Sequence, residues 1–414
     1  MKKNIVLFLI LSTSLSFAQK TLTLKEAEEE LQKNNLLLLA EQYNIPIAEA
    51  AVIQAKIWEL PYVSGEFNAI NPQNKSVLSV GGKGQKGLAV QQLIYLGGKK
   101  KNEVAFAKSN IGIAQLQFEQ LIRNLKYELA QTFYEVYYDN QKITAIENQL
   151  AKLETLYGYY EKQVSNGNIP LKEVVRLQSL ILDLKNEKNA LLTSTIEAQQ
   201  TLALLTGVTE TIVPSVNEIQ LVSKFQNTEV SKDSILAYAL QNNLDYLTAK
   251  KISESQELLL QWQRSLNTPD LTAGLAYDQR GGAFQNQINL TFGMPIPLWN
   301  KNKGNIKIVE TQVKQTQANI EYKKFELETK VDAYWKLYVM NQNQLNSIQQ
   351  STTKNLEAVY DGVVSNFQKR NISMLEFTDF MESYNQTTLQ INEIKKGWIL
   401  ASISLNYITN KEIF

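Results

Sequence analysis

"PIPLWNKNKGNI", residues 295–306, joins two sequence patterns that do not belong to the same kind of element. Upstream, Phe284, Ile288, Leu290, Phe292 and Met294 alternate with Gln285, Gln287, Asn289, Thr291 and Gly293. That is the period of two expected of a strand with one apolar and one polar face. Downstream, residues 301–367 are rich in Gln, Lys and Glu around apolar residues spaced by three and four, which is the pattern of a long helix. Pro295 and Pro297 stop strand pairing because they donate no backbone N–H, and Asn300 or Asn302 can cap the helix that follows. The stretch is an elbow at which a strand becomes a helix.

This elbow has a twin. "IYLGGKKKNEV" at 94–104 aligns with "IPLWNKNKGNI" at 296–306, and Tyr137, Asn140 and Gln141 then fall on Tyr338, Asn341 and Gln342. Earlier, Asn34 and Asn35 of "LQKNNL" fall on Asn242 and Asn243 of "LQNNL", and Pro61 falls on Pro269. Later, "NIPLKEV" at 168–174 aligns with "NISMLEF" at 371–377, and Leu205 and Thr206 with Ile408 and Thr409. Self-similarity at one long period means a duplicated unit. Residues 19–207 form a first repeat and 232–414 a second, joined by a linker or equatorial segment at 208–231. Each has the plan helix, alternating segment, very long helix, turn, returning helix.

The alternating segments are hairpins at about 62–96 and 271–296. In the second, Leu271, Ala273, Leu275 and Tyr277 oppose Thr272, Gly274, Ala276 and Asp278; in the first, Val63, Phe67, Leu88, Val90 and Ile94 oppose Ser64, Glu66, Ala89, Gln91 and Leu93. Strands of this length, tilted, cross an outer membrane. Four strands cannot close a barrel, since about eight is the smallest number in use and lipid tolerates no open edge. Several chains must therefore contribute to one barrel.

The long helical segment at 99–166 is free of proline, and Ile111, Ala114, Phe118, Leu121, Leu125, Leu129, Val136, Ile143, Ile146, Leu150, Leu153 and Tyr157 recur along it mostly at coiled-coil spacing. Such a helix spans about 100 Å at 1.5 Å per residue. Residues of about 170–206 and 373–409 are the returning helices.

Composition narrows the function. The chain of 414 residues carries 42 basic and 41 acidic residues and neither Cys nor His. Balanced charge gives no general case for nucleic acid, and the missing residue types remove thiol chemistry, imidazole bases and the usual zinc or copper ligands. No phosphate loop or nucleophile elbow is present, so no enzyme, cofactor or bound metal is expected. Lys2 and Lys3 precede an apolar run at 5–11, and Ser16 and Ala18 stand at the cleavage positions of a signal peptide covering 1–18. No later segment is expected to form a transmembrane helix.

The twofold plan, the elbow "PIPLWNKNKGNI" and "NISMLEFTDFMESY" at 371–384 resemble the TolC family of outer-membrane efflux proteins over essentially the whole mature chain, most closely its CusC and CzcC branch for heavy-metal efflux. "QLIYLGGKKKNEV" at 92–104 is similar to the family's Gly-Gly-basic elbow. The resemblance implies a mainly α fold with a small β part: a homotrimer in the outer membrane, with a β-barrel of twelve strands, four from each chain, above a coiled-coil α-helical barrel in the periplasm. It implies a periplasmic adaptor protein and an inner-membrane pump of the resistance-nodulation-division type as partners, and passive conduction of metal cations. Drug or small-molecule efflux by the same kind of duct is the alternative, with a periplasmic coiled-coil scaffold a further one. The family's N-terminal lipidated Cys, common in the metal branch, is missing.

By matching position, the resemblance places adaptor-docking tips at Ser165, Asn166, Gly167 and Asn168 and at Lys369, Arg370 and Asn371. It places a periplasmic gate at Glu376 and Asp379, three residues apart and hence on one helix face. Glu173 is the repeat equivalent of Glu376. Carboxylates crowded around a narrow axis would concentrate cations and raise one another's pKa.

Overall fold

The computed structural model describes residues 19–72, 75–226, 230–281, 283–299, 301–348 and 350–414. The signal peptide expected at 1–18, and Asn300, lie outside the described residues. The first half runs β1 (Gln19–Leu22), α1 (Leu24–Asn34), α2 (Leu36–Glu41), α3 (Asn44–Lys56), β2 (Tyr62–Phe67), β3 (Ile70–Asn71), β4 (Ser76–Val77), β5 (Gln85–Ile94), α4 (Lys99–Ser165) and α5 (Leu171–Thr206). Between the halves come β6 (Thr211–Pro214) and α6 (Glu218–Gln226). The second half runs α7 (Lys232–Asn242), α8 (Leu244–Ser265), β7 (Leu271–Arg280), β8 (Phe284–Gly293), α9 (Lys303–Ser347), α10 (Gln350–Gln368) and α11 (Met374–Thr409).

The duplication is explained residue by residue at the caps. In "KNNL" and "QNNL" the second Asn starts a helix: Asn35 Oδ1 accepts the N–H of Leu38 at 2.8 Å, and Asn243 Oδ1 that of Tyr246 at 3.1 Å. Asn35 also donates to the carbonyl of Leu205 at 2.9 Å, so one side chain begins α2 and satisfies the end of α5. At the other ends, α5 stops at Gly207 (φ 70°) and α11 at Asn410 (φ 46°). Both adopt the left-handed conformation that terminates helices. Gly207 has a second reason to lack a side chain, because a Cβ there would stand 2.8 Å from Asn34 Cβ.

The chain forms two compact units. One comprises Ala40–Gln120 and Asn243–Leu327 and holds a four-stranded sheet. Beside the sheet, Val52 and Ala55 of α3 pack on Ala107 of α4. Small hydroxyl residues let α4, α8 and α9 approach closely: Ser109 bonds Ser255 at 2.8 Å, and Thr316 bonds Ser253 at 3.2 Å.

The other unit comprises the residues up to Leu39, Leu121–Asn242 and Glu328–Phe414. Its core is a seam of α4, α5, α10 and α11 built from Leu153, Leu177, Phe367, Phe377 and Met381 among others, with Phe367 stacked on Phe377 at 4.0 Å. Ile146, Leu150 and Leu153 of this core are among the three-and-four-spaced residues of the sequence, and burial of a phenyl ring contributes about 3 kcal/mol. β1 and β6 pair in parallel in this unit, so part of the expected linker is ordered as a strand.

Two expectations need correction. The helix read over about 301–367 is two helices, α9 and α10, with Ile348 in a bend between them. The break falls in "NSIQQSTT" at 346–353, where β-branched and hydroxyl residues are poor helix formers. One segment of the mature chain, Leu36–Lys56, does reach membrane length with a mean hydropathy of 1.3. It is divided into α2 and α3 by a turn at Gln42 and Tyr43.

One ion cluster lies inside the helical unit. Lys142 bonds Asp139 at 3.0 Å and Glu393, while Ser194 donates to the other oxygen of Asp139 at 3.1 Å. Burial works against the charge on Lys142, yet the hydrogen bonds that its ammonium donates to Glu393 and Asp139 outweigh it and hold its pKa above the ordinary value. Replacing Lys142 with Ala strands the buried Asp139 carboxylate and should cost about 3 kcal/mol. Glu393→Gln, at a half-exposed position, should cost about 1 kcal/mol or less. Heat denaturation followed by circular dichroism measures both.

Candidate functional site

The first candidate surface is the sheet, ordered β2-β5-β7-β8 and antiparallel throughout. Register puts Val63, Val90, Leu275 and Leu290 in one row and Gly65, Leu88, Tyr277 and Ile288 in the next. Both rows lie on one face. Ser64, Ala89, Ala276 and Asn289, then Glu66, Gly87, Asp278 and Gln287, make the corresponding rows of the other face. The apolar face is uncovered: Val63 is 66% exposed, Ile288 74% and Leu290 73%. A continuous apolar band on a sheet with a polar reverse is what a membrane barrel presents to lipid and to its lumen.

The elbows beneath the sheet are tied to it by specific bonds. At the first, Gly97 (φ 68°) and Gly98 (φ 72°) turn the chain, and a Cβ on Gly97 would stand 2.5 Å from Thr268 Oγ1. Asp270, at the start of β7, accepts the N–H of Leu96 at 3.2 Å and pairs with Lys99 Nζ at 2.7 Å. The first Lys of α4 is thus buried against the strand of the other repeat. At the second elbow, Asn302 (φ 51°) donates its carboxamide to the carbonyl of Gln263 at 2.9 Å and directly precedes α9.

The second candidate surface is the pair of helix tips. At the first, the N–H of Gly167 (φ 72°) bonds Val164 O at 2.9 Å and that of Asn168 bonds Gln163 O at 2.9 Å. This is the Schellman closure of a helix end, which needs a left-handed residue. At the second, the N–H of Arg370 (φ 64°) bonds Phe367 O at 3.0 Å and that of Asn371 bonds Asn366 O at 2.9 Å. The same motif is therefore built twice, with Gly in one copy and Arg in the other. An L-residue in this conformation costs about 1 kcal/mol relative to Gly. Sequence reasoning missed that strain, although the alignment of Gly167 with Arg370 was its signal.

Glu376 and Asp379 both lie exposed on α11, just after the second tip. Glu376 also acts locally. Its Oε2 accepts the N–H of Ser373 at 2.8 Å and the Ser373 hydroxyl at 2.8 Å, while its own N–H donates to Ser373 Oγ at 3.2 Å. This is a capping box, spelled S-x-x-E in "SMLE". The backbone bond from Ser373 and then its hydroxyl hold the Glu376 carboxyl below the usual range, opposite to what crowding of like charges would do. Thr23 and Glu26 form the same box at the start of α1. Glu173 stands at the equivalent third position of α5, which Pro170 opens with no side-chain cap. Among the described residues, no group of three or more His, Cys, Asp or Glu is arranged to hold a metal ion.

Arg370→Gly should raise the stability of the helical unit by about 1 kcal/mol by relieving the left-handed strain, and Gly167→Val should lower it by at least as much. No atom lies within 4 Å of a Cβ built on Gly167, so backbone strain alone sets that loss. Heat denaturation of the two variants decides the matter. Equal and opposite responses identify the tips as one motif with two fillings.

Residues 27–208 match the family described as outer membrane efflux protein. Among curated protein sequences none matches. Among solved structures, CusC is similar over 94% of this chain and 92% of its own at 18% identity, with a TM-score of 0.75. VceC from Vibrio cholerae is similar over 94% and 97% at 14% identity, TM-score 0.71. The open state of the Neisseria gonorrhoeae MtrE outer membrane channel is similar over 94% and 89% at 12% identity, TM-score 0.72. At these identities the structural likeness is one of fold. Residues 27–208 of the chain thus match the outer membrane efflux protein family, and over 94% of its length the chain shares the fold of outer-membrane channels.

Proposed function

We propose that the chain is the exit duct of a metal-cation efflux system, formed as a homotrimer whose twelve strands close one barrel in outer-membrane lipid. The observation that carries this is the four-stranded sheet with an uncovered apolar face, a polar reverse and no strand beyond β2 or β8 among the described residues. Such edges are intolerable in lipid. Closure by copies of the same chain removes them. The long helices extend the duct into the periplasm, and cargo moves passively through it. Cross-linking in detergent should give a three-chain species. A well-folded monomer that needs no detergent would overturn the barrel.

At the periplasmic end, a periplasmic adaptor protein docks on Ser165, Asn166, Gly167 and Asn168 and on Lys369, Arg370 and Asn371, and a resistance-nodulation-division pump in the inner membrane supplies the cargo. Support comes from Arg370: a strained, charged residue stands where Gly fits better, and strain of this kind concentrates at functional surfaces. Metal cargo rests on the likeness of the elbow and fold to CusC together with the acidic mouth. Glu376 serves two ends there, capping α11 and, with Asp379, lining the entrance. Three copies bring six carboxylates to the axis and favour cations.

In single-channel recordings, Glu376→Gln combined with Asp379→Asn should lower the cation-to-anion permeability ratio and weaken block by trivalent cations. Unchanged selectivity and block would confine Glu376 to capping α11. In cells, loss of the chain should raise retained metal while tolerance of organic drugs stays constant. The reverse outcome assigns the duct to drug efflux.

A further inference from the structure

The barrel interpretation leaves open how one copy meets the next, and the backbone of the single chain holds the answer. Asn68 N–H bonds Gln85 O at 3.2 Å. Residues of that parity on β2 therefore turn their backbone toward β5, and Val63, Gly65 and Phe67 turn theirs to the open edge. Gly281 N–H likewise bonds Gly84 O at 3.1 Å. The odd residues of β7 thus face β5, its even residues face β8, and on β8 it is Ile288, Leu290 and Phe292 that present their backbone to the open edge. On both edges the free donors and acceptors belong to residues of the apolar face. The edges match in parity, and β2 and β8 run in opposite directions, as antiparallel pairing requires.

Handedness then sets the register. Viewed from the apolar face with β2 running upward, an L-residue whose side chain points to the viewer directs its N–H and C=O to the right. Val63 is such a residue, and its backbone points away from β5. The order from left to right is therefore β8, β7, β5, β2, so the right edge of one copy meets the left edge of the next. In a closed barrel the strands lean to the right by about 35–45°, and the hydrogen-bonded rows descend to the right. The ragged end of the sheet already shows this lean. β5 and β7 pair down to Ile94 and Leu271, while β2 begins only at the Tyr62 and Gln91 row. Across four strands spaced about 4.8 Å apart, the descent is about four to six residues.

We propose that β2 of each copy pairs with β8 of the next at an offset of about four or six residues from its own straight-across row, and that this seats residues 294–299 of one copy on residues 57–62 of its neighbour. The proposal rests on closure of a barrel by copies of this chain and specifies the seam. Tyr62 shares a row with Thr291 within one chain. The offset brings it to Pro295 or Pro297 of the next copy. Pro61, on the parity of β2 that faces the open edge, has no N–H to give the next copy and ends that ladder at the level where Pro295 and Pro297, on the opposite parity of β8, end the ladder to β7. The offset also gives cover to the most exposed apolar groups near the elbows: Leu60 at 83%, Ile296 at 77% and Trp299 at 86%. An unpaired segment this apolar on each side of an open edge is what a second copy would bury.

The chain has no Cys, so introduced pairs report without background. Glu66 lies on the polar face and belongs to the closely spaced, non-hydrogen-bonded set at the open edge. Its own row ends at Gln287, and the offset places it against Thr291 or Gly293 of the next copy. Glu66→Cys would be combined in turn with Gln287→Cys, Thr291→Cys and Gly293→Cys in the full chain, inserted in outer membranes and oxidised. Covalently linked chains on non-reducing gels should be several-fold more abundant for the Thr291 or Gly293 variant than for the Gln287 variant. Dominance of the Gln287 pair would overturn the offset while leaving closure intact. Silence of all three pairs in a chain that an amine-reactive linker shows to be trimeric would overturn the pairing of these edges. A chain that stays monomeric with that linker would fail the barrel itself. The seat has its own readout: Leu298→Ala with Trp299→Ala should lower the temperature at which the trimer dissociates, and an unchanged temperature would remove residues 294–299 from the interface.

Discussion

A backbone N–H or C=O left without a partner in hydrocarbon costs several kcal/mol, and one sheet edge carries a row of them. Much that is distinctive about this chain follows from an antiparallel sheet of only four strands. β2 and β8 end the sheet with free edges, and the apolar rows through Val63 and Leu290 give its outer face nothing to pack on within the chain. The polypeptide commits its strands to a structure that it cannot complete alone. The helical unit, by contrast, satisfies itself through the seam of Phe367, Phe377 and Met381 and through an internal ion cluster at Lys142.

The elbows reconcile these two parts of the chain's chemistry. A strand leaving the sheet must redirect into a helix without stranding its own polar groups. The first elbow does so with two left-handed glycines and an Asp that holds both a backbone N–H and Lys99. The second uses prolines, which have no N–H to satisfy, and Asn302 in the left-handed region, held to Gln263. Because Asp270 opens β7 while Lys99 opens α4, the ion pair joins the two repeats at the level where strands give way to helices.

Much of this was legible in the sequence because it depends on local period. Alternation gave the long strands, three-and-four spacing gave the helices, and the near-identical "NNL" segments gave the duplication, though not the caps that Asn35 and Asn243 make. Strand order was not legible. The pairing of β5 with β7 depends on which distant edges meet, and period two carries no information on that. The bend at Ile348 was hidden because apolar spacing dominates the surrounding residues, while the Ser and Thr residues that weaken the helix act through propensity alone. Glu376 was singled out by position as a gate residue, but its capping partner Ser373 was overlooked although S-x-x-E was in plain view. Left-handed Arg370 had no local signature; only comparison with Gly167 exposes it.

The unequal filling of the two tips has a consequence for counting. Duplication followed by threefold assembly would produce six helix ends of nearly the same shape, and a partner that recognised shape alone would find six equivalent places to bind. Arg370 in one set and Gly167 in the other divide those six into two alternating triplets of different charge. On the proposed docking, a partner that reads the guanidinium would be admitted three times and one that reads the bare turn at the other three. The stoichiometry at this end would then be set by a single backbone position occupied by two different residues.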